Sequence, residues 1–476
     1  MVGFILNSQK TAMKRLLLVL LIAFITCSIV TAQQTYTPDW NSIDSRATPS
    51  WFEDAKFGIF IHWGLFSVPA YSPTVRDGVG VYDRYAEWYW RKLMEPGNTQ
   101  TYFSKFHEKT YGKDFKYQDF ASLFKAEAYQ PEEWAKLFER AGAKYVVLTS
   151  KHHEGFTLWP SKFAWNWNAK EIGPHRDLLG DLTKAVRGTN LKMGYYYSLY
   201  EWYNPLCKPE TINQYVDEHM MPQMKELVNT YKPDIFWTDG EWDYPSATWK
   251  STQFLSWLYN ESAVKSSVVV NDRWGKETRS KHGGIYTTEY DLVDAGDASV
   301  TKFDHPWEEC RGIAGSFGYN RMEQLDDYST SEELIHILIN KVARGGNLLL
   351  NVGPTADGRI PVIMQQRLSD MGQWLKVNGE AIYATRKWEK APTITNTTSL
   401  YYTKKGKDLY LISTKFPTTD LLVADINKPV KVTMVGLDAT VMSTYKNGKL
   451  TLKVPNINPA NNPSNYAWVF KLEGVL

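Results

Sequence analysis

The chain has 476 residues, with 54 Lys and Arg against 52 Asp and Glu, a formal net charge of +2. That length exceeds one ordinary domain and suits a large barrel plus a smaller module, while the charge balance excludes the clustered basic footprint of a nucleic-acid binder. Aromatic residues make up 14 %, with 19 Trp and 29 Tyr, which suits a packed core and also surfaces that stack on sugars.

The N-terminus reads as an export signal. Lys14 and Arg15 precede an apolar run over 16–30, and Val30-Thr31-Ala32 offers a small-residue cleavage site before Gln33. The run is short for a membrane span, and no later stretch is apolar enough to cross a bilayer. Residues 1–12 fit an over-called start, and Phe24 and Thr26 are unsuitable neighbours for lipidation at Cys27. The expected product is exported, to the periplasm or extracellular space, or to a lysosome-like compartment in a eukaryote. Signal removal takes one of three Cys and leaves Cys207 and Cys310. Two Cys make neither a disulfide framework nor a zinc site. One bridge between them is open, and two free or buried thiols are expected.

Eight short apolar runs follow, at 56–64, 143–153, 191–198, 233–241, 266–275, 283–291, 314–320 and 345–354. Helical patterns precede several of them: an amphipathic segment opening at Pro131, then 212–231, 252–261 and 331–344. Apolar strands alternating with helices imply a parallel sheet covered on both faces, and eight such units imply a (β/α)8-like barrel. The helix after the sixth strand is indistinct, so the barrel is expected to be irregular. The aromatic-rich segment 69–119 after the first strand is expected to form a lid or rim. From about Lys387 the pattern changes to hairpins, one with an Asn447-Gly448 turn. The expected division is a signal over 1–32, a barrel over 33–385 and an antiparallel β-sandwich over 386–476.

The polar residues are not scattered. His62, His152, His153, Tyr197, Asp239, Arg273 and Glu289 all fall at the C-terminal ends of their strands. In a parallel barrel those ends converge on one face, where such folds carry their chemistry. The stretch "DIFWTDGEWD" is the sharpest case, because an apolar strand ends in carboxylates beside tryptophans. Asp239 before Gly240 reads either as a turn residue or as a glycosidase nucleophile that forms a covalent sugar ester. Glu289 is then the candidate acid/base. His152-His153-Glu154 invites a metal reading. Adjacent strand residues point to opposite faces, however, so both rings reach one ion only at a strand end or bulge. Hydroxyl binding is the preferred role, and no metal or cofactor is expected. Arg273 reads as a structural ion-pair partner or as a donor to hydroxyls or a carboxylate. Trp88 and Trp237 each read equally as core. "GGNLLLNVGPTADG" reads as the eighth strand and a turn, not a phosphate cradle.

"FGIFIHWG", "SKHHEGFTLW", "WTDGEW", "VVNDRWG" and "GGNLLLNVGPTADG", occurring in that order, resemble the α-L-fucosidases of glycoside hydrolase family 29. The resemblance runs from about Trp40 to Tyr383. It implies an irregular barrel, a C-terminal β-sandwich and an exo-acting, retaining hydrolase of fucosylated oligosaccharides or glycoconjugates. It puts the nucleophile on Asp239 and fucose contacts on His62, Glu87, Trp88, His152, His153, Tyr197, Trp237, Arg273 and Phe317. It favours Glu289 as acid/base, with Glu308, expected in a loop before the seventh strand, as the rival. A different barrel glycosidase and an inactive fucose-binding protein are the competing readings.

Overall fold

Eight parallel strands build the first sheet of the computed structural model, which describes residues 34–94, 100–290, 305–395, 397–437 and 441–476. They are β1 (Phe57–Ile61), β2 (Tyr145–Lys151), β3 (Lys192–Ser198), β4 (Ile235–Asp239), β5 (Val269–Val270), β6 (Tyr286–Glu289), β7 (Trp307–Gly312) and β8 (Asn347–Val352). Their order is β5-β4-β3-β2-β1-β8-β7-β6. The export-signal reading falls outside the described residues.

The sheet curls until its two outer strands meet. β5 and β6 touch through one parallel bridge, Asn271 with Ile285, where the Ile285 amide donates to the Val270 carbonyl at 2.9 Å. Gly284 permits this approach, because a Cβ there would sit 2.0 Å from the Val270 oxygen. The indistinct helix expected after the sixth strand falls outside the described residues; among those described, the barrel is irregular at this seam before β6.

Helices cover the outside, and each follows from local sequence. Pro131 opens Pro131–Arg140, Glu132 and Glu133 lie in its first turn, and Arg140 lies in its last, as the helix dipole favours. Its buried face is Trp134, Ala135 and Phe138. Thr330 and Glu333 close a capping box at the start of Ser331–Ala343.

One strand lies elsewhere than its pattern suggested. The seventh is Trp307–Gly312, not 314–320, and it carries Glu308, Glu309 and Arg311 in a mostly buried run. Glu309 is wholly buried and pairs with Lys341 at 2.5 Å and Arg311 at 2.8 Å. Charges neutralised in this way are tolerated inside, but in sequence they disguise the strand as a loop.

From Arg386 the chain turns antiparallel. A five-stranded sheet contains β9 (Arg386–Lys387), β10 (Leu400–Lys405), β11 (Asp408–Ser413), β13 (Lys431–Met434) and β16 (Trp468–Glu473). A three-stranded sheet contains β12 (Leu421–Val423), β14 (Ser443–Lys446) and β15 (Lys449–Leu452). Leu409, Leu411, Phe470 and Leu472 of the first share one core with Leu421, Val423, Leu450 and Leu452 of the second, so the two sheets form a sandwich. Asn447 and Gly448 both have positive φ at the β14–β15 turn, as a two-residue Asn-Gly hairpin demands. The Trp374 indole donates to the Ala467 carbonyl at 3.1 Å, which ties the barrel's last long helix to the sandwich.

Candidate active site

A cavity of about 250 Å³ opens where the C-terminal ends of the barrel strands converge. His62 follows β1, His152 and His153 follow β2, Asp239 closes β4, Arg273 lies just past β5 and Glu289 closes β6. All six line it, together with Glu87, Trp88, Trp237 and Phe317. A larger groove of about 830 Å³ lies between Pro131–Arg140 and Val362–Asn378. Glu139 is the single carboxylate of its lining, so it offers no acid–base pair.

Asp239 is delivered by strand alternation. Ile235, Trp237 and Asp239 share the inner face of β4, and Gly240, with φ of +76°, turns the chain away immediately afterwards. The Asp239 carboxylate is almost fully specified. Arg273 Nη1 donates to Oδ1 at 2.9 Å, and the Tyr196 hydroxyl donates to Oδ2 at 2.9 Å. Burial alone would raise its pKa. The positive charge of Arg273 and the hydrogen bonds from Arg273 and Tyr196 outweigh that and hold the carboxyl well below the usual range. Asp239 is therefore ionised, oriented and facing the cavity.

Glu289 is its partner across the seam. Tyr85 donates to Glu289 Oε1 at 2.8 Å, and Arg273 Nη2 lies 3.4 Å from Oε2. One guanidinium thus spans both carboxylates and holds them as near neighbours.

Glu308 is placed differently from the expected loop. It lies within β7 with 1 % of its surface exposed and is absent from the cavity lining. The Trp237 indole donates to its Oε1 at 3.1 Å, and the Tyr145 hydroxyl donates to its Oε2. Burial pushes its pKa up to about 7, and those two hydrogen bonds and Arg273 only partly offset this. Its geometry supports the floor of the site, since it holds the Trp237 ring on which the Arg273 guanidinium rests at 4.6 Å.

Tyr197 does not reach the cavity. Its hydroxyl donates to Gln223 Oε1 at 2.8 Å, and its ring stacks on Phe236 on the helix-facing side of the sheet. The residue before it, Tyr196, points inward, beside Trp237 and Asp239. Three consecutive tyrosines hide this parity in the sequence.

His152 and His153 both face inward, because β2 ends at Lys151 and the chain turns there. Their ring centroids are 4.1 Å apart. No group of three or more His, Cys, Asp or Glu side chains arranged to hold a metal occurs among the described residues. Cys310 also lines the cavity as a buried free thiol, and Cys207 is buried and free elsewhere.

Residues 69–119 supply one wall. Tyr82, Tyr85, Glu87 and Trp88 come from this insertion, which supports the rim expected of it. Glu87 Oε2 accepts from the Gly318 amide at 2.8 Å and the Ser316 hydroxyl at 3.2 Å. Burial pushes its pKa up to about 7. Trp242, 5.6 Å from Trp88 and 5.0 Å from His153, extends the aromatic wall. Sequence reasoning missed Tyr85, Tyr196, Trp242 and Arg279. Trp242 alone carried a signal, because it follows the carboxylate motif directly.

The site combines an ionised carboxylate, a second carboxyl beside it, neutral and charged hydrogen-bonding groups, and aromatic walls. It is equipped for acid–base and nucleophilic work on a small polyhydroxylated ligand.

Residues 23–380 match the family model "Alpha-L-fucosidase", and residues 393–473 match "Alpha-L-fucosidase C-terminal domain". Tissue alpha-L-fucosidase of Homo sapiens is 45 % identical over 481 residues, covering 98 % of each chain. Alpha-L-fucosidase of Dictyostelium discoideum is 42 % identical, covering 96 % of this chain and 99 % of that one. Among solved structures, the Thermotoga maritima alpha-fucosidase in complex with a mechanism-based inhibitor superposes with a TM-score of 0.77 at 37 % identity. It covers 92 % of this chain and 99 % of that one.

Proposed function

The chain belongs to the α-L-fucosidase family, and from that premise we propose that it removes terminal α-L-fucose from glycans by double displacement with retention. Asp239 attacks the anomeric carbon and forms a fucosyl ester while Glu289 gives its proton to the departing oxygen. Glu289 then takes a proton from water as that water attacks the same carbon and releases Asp239. The observation that carries this reading is the Arg273 guanidinium bound to both carboxylates inside one cavity. A retaining pair needs carboxyls about 5–5.5 Å apart, and contact with one guanidinium, at 2.9 Å for Asp239 and 3.4 Å for Glu289, is compatible with such a pair.

The cavity volume supports exo action. About 250 Å³ falls below the roughly 300–1,000 Å³ of drug-sized sites, which suits one terminal sugar ring. Glu87, His62, His152, His153 and Arg273 present hydrogen-bonding groups for its hydroxyls, and Phe317 and Trp237 present apolar surface for the 6-methyl group. A site built to hydrogen-bond a hydroxyl rejects an analogue that lacks it far better than an apolar pocket rejects one methylene.

The proposed mature enzyme starts near Gln33 and is exported, with a catalytic barrel over 33–385 and a β-sandwich over 386–476. No helix among the described residues is long and apolar enough to cross a membrane.

Asp239→Gly tests the assignment. The variant should fold and lose nearly all hydrolysis of a nitrophenyl α-L-fucoside. Azide should then restore turnover and give β-L-fucosyl azide by one inversion. Near-normal activity without azide would remove Asp239 from the nucleophile role. Turnover of another nitrophenyl glycoside in preference to the fucoside would move the enzyme to a different glycosidase class.

A further inference from the structure

Two histidines of the cavity each have one ring nitrogen bound to a partner whose own hydrogen bonds fix its role. Asn351, on β8, places its side-chain nitrogen 2.6 Å from the Phe317 carbonyl oxygen and its Oδ1 2.7 Å from His62 Nδ1. A carbonyl oxygen only accepts, so the Asn351 nitrogen must face Phe317 and its oxygen must face the imidazole. His62 Nδ1 therefore carries a hydrogen. Ser198, at the end of β3, lies 2.5 Å from the Tyr200 carbonyl oxygen and 2.6 Å from His153 Nδ1. Its single hydroxyl hydrogen goes to Tyr200, so its oxygen receives the hydrogen of His153 Nδ1.

Both rings are neutral. Burial first, and then the neighbouring His152, push the His62 pKa down to about 3. The same two causes hold His153 well below its ordinary value. A neutral imidazole has one ring hydrogen, and here it sits on Nδ1 in both residues. Each Nε2 is left as a bare acceptor. His153 Nε2 lies 3.4 Å from the Tyr196 hydroxyl and 3.7 Å from Asp239 Oδ2. The Tyr196 hydrogen is committed to that same Asp239 oxygen at 2.9 Å. No donor among the described residues reaches His62 Nε2.

We infer that Asn351 and Ser198 are positioning residues that hold His62 and His153 as Nδ1–H tautomers, so that two hydroxyls of the bound sugar must donate to the two Nε2 atoms. The tautomers follow from this chain alone, whereas the hydroxyl donors rest on the fucosidase reading. This reverses the ordinary expectation of a binding histidine as donor. It also adds a selection rule, because a group that accepts but cannot donate is refused at two sugar positions.

Fluorine is such a group, so two measurements on the full chain test the inference. The first is the nitrogen-15 spectrum of histidine-labelled protein near neutral pH, with His62 and His153 assigned by single substitution. Both should show the hydrogen on Nδ1. Ser198→Ala should move the His153 hydrogen to Nε2, where Asp239 accepts it, and Ser198→Thr should keep it on Nδ1. Asn351→Ala should release the His62 hydrogen in the same way.

The second measurement is inhibition by L-fucose and its 2-, 3- and 4-deoxy and deoxyfluoro analogues. At two of the three positions the fluoro analogue should bind roughly tenfold or more weaker than L-fucose and no better than the deoxy analogue. In Ser198→Ala the fluoro penalty at one position should shrink, a selective change that general loosening of the site does not produce. Wild-type hydrogen on Nε2 overturns the tautomer assignment, and fluoro analogues binding within about twofold of L-fucose at every position overturn the acceptor role. Should a variant fail to fold, the wild-type spectrum and wild-type analogue series carry the test unaided. An Nδ1–H pattern in a protein that neither binds L-fucose nor turns over a fucoside would instead overturn the fucosidase reading and leave the tautomers standing.

Discussion

Tyr196 donates its hydroxyl hydrogen to Asp239 Oδ2 at 2.9 Å, from the strand beside the one that carries the carboxylate. The bond favours the ionised form, on top of the charge of Arg273. Tyr196→Phe removes it and leaves the ring. A hydrogen bond to a charged group is worth about 1.5 kcal/mol or more, which corresponds to about one pKa unit. Because the bond depresses the Asp239 pKa, its loss must raise that pKa. The acid limb of the kcat/KM profile should therefore move to higher pH by about one unit. An unshifted limb would show that Tyr196 does not tune the carboxylate.

Glu289 and Glu308 should separate by leaving group. Glu289→Ala should lose about 10²–10⁴-fold on a glycan with a poor leaving group. The loss should be smaller on a nitrophenyl fucoside, whose first step needs less proton donation, and azide should give α-L-fucosyl azide, the retained product. Glu308→Ala should lower the melting temperature and weaken substrate binding through a displaced Trp237, with equal loss across leaving groups. The opposite pattern would exchange the two roles.

Glu308 should also leave a signature in stability against pH. Its folded pKa is raised from 4.5 to about 7 by burial, so the folded state keeps a proton that the unfolded chain releases. This contribution is fully present below pH 4.5 and is lost as pH rises through 7. At about 1.4 kcal/mol per pKa unit, the stability of wild type relative to Glu308→Gln should fall by roughly 3 kcal/mol between pH 4 and 8. Parallel stability curves for the two proteins would show that Glu308 does not titrate in this range.

Chelation should leave the rate unchanged. The Nδ1 atoms of His62 and His153 are bonded to Asn351 and Ser198, and in the proposed function the remaining polar groups serve a sugar rather than an ion. Dialysis against EDTA checks this. A loss of activity restored only by Zn²⁺ or Ca²⁺ would return His152 and His153 to a metal role.

Most of the barrel was legible because buried parallel strands read as apolar runs. β1 to β6 and β8 lie inside the segments expected for them. The clustering of His62, His153, Asp239, Arg273 and Glu289 at one end followed from strand direction alone. β7 was not legible, because its buried Glu309 is neutralised by Arg311 of the same strand and by Lys341 of a distant helix, and in sequence the strand shows only its charges. Tyr197 was taken for Tyr196 because inward parity depends on pairing with β4, which neighbouring residues do not reveal. Tyr85 and Ser198 carried no local signal. Their roles arise only when distant segments meet at Glu289 and His153.

Arg273 binds Asp239 and Glu289 with two nitrogens of one guanidinium, and the chemistry proposed here moves one negative charge between these two anchors. Before attack, Asp239 is the anion and Glu289 the neutral acid. In the ester, Asp239 is neutral and Glu289 has become the anion. The cation therefore faces one negative charge on either side of the first step, and only the oxygen that bears it changes. In the proposed first step, then, the charge that faces Arg273 is conserved, and no counter-ion has to enter to compensate the transfer.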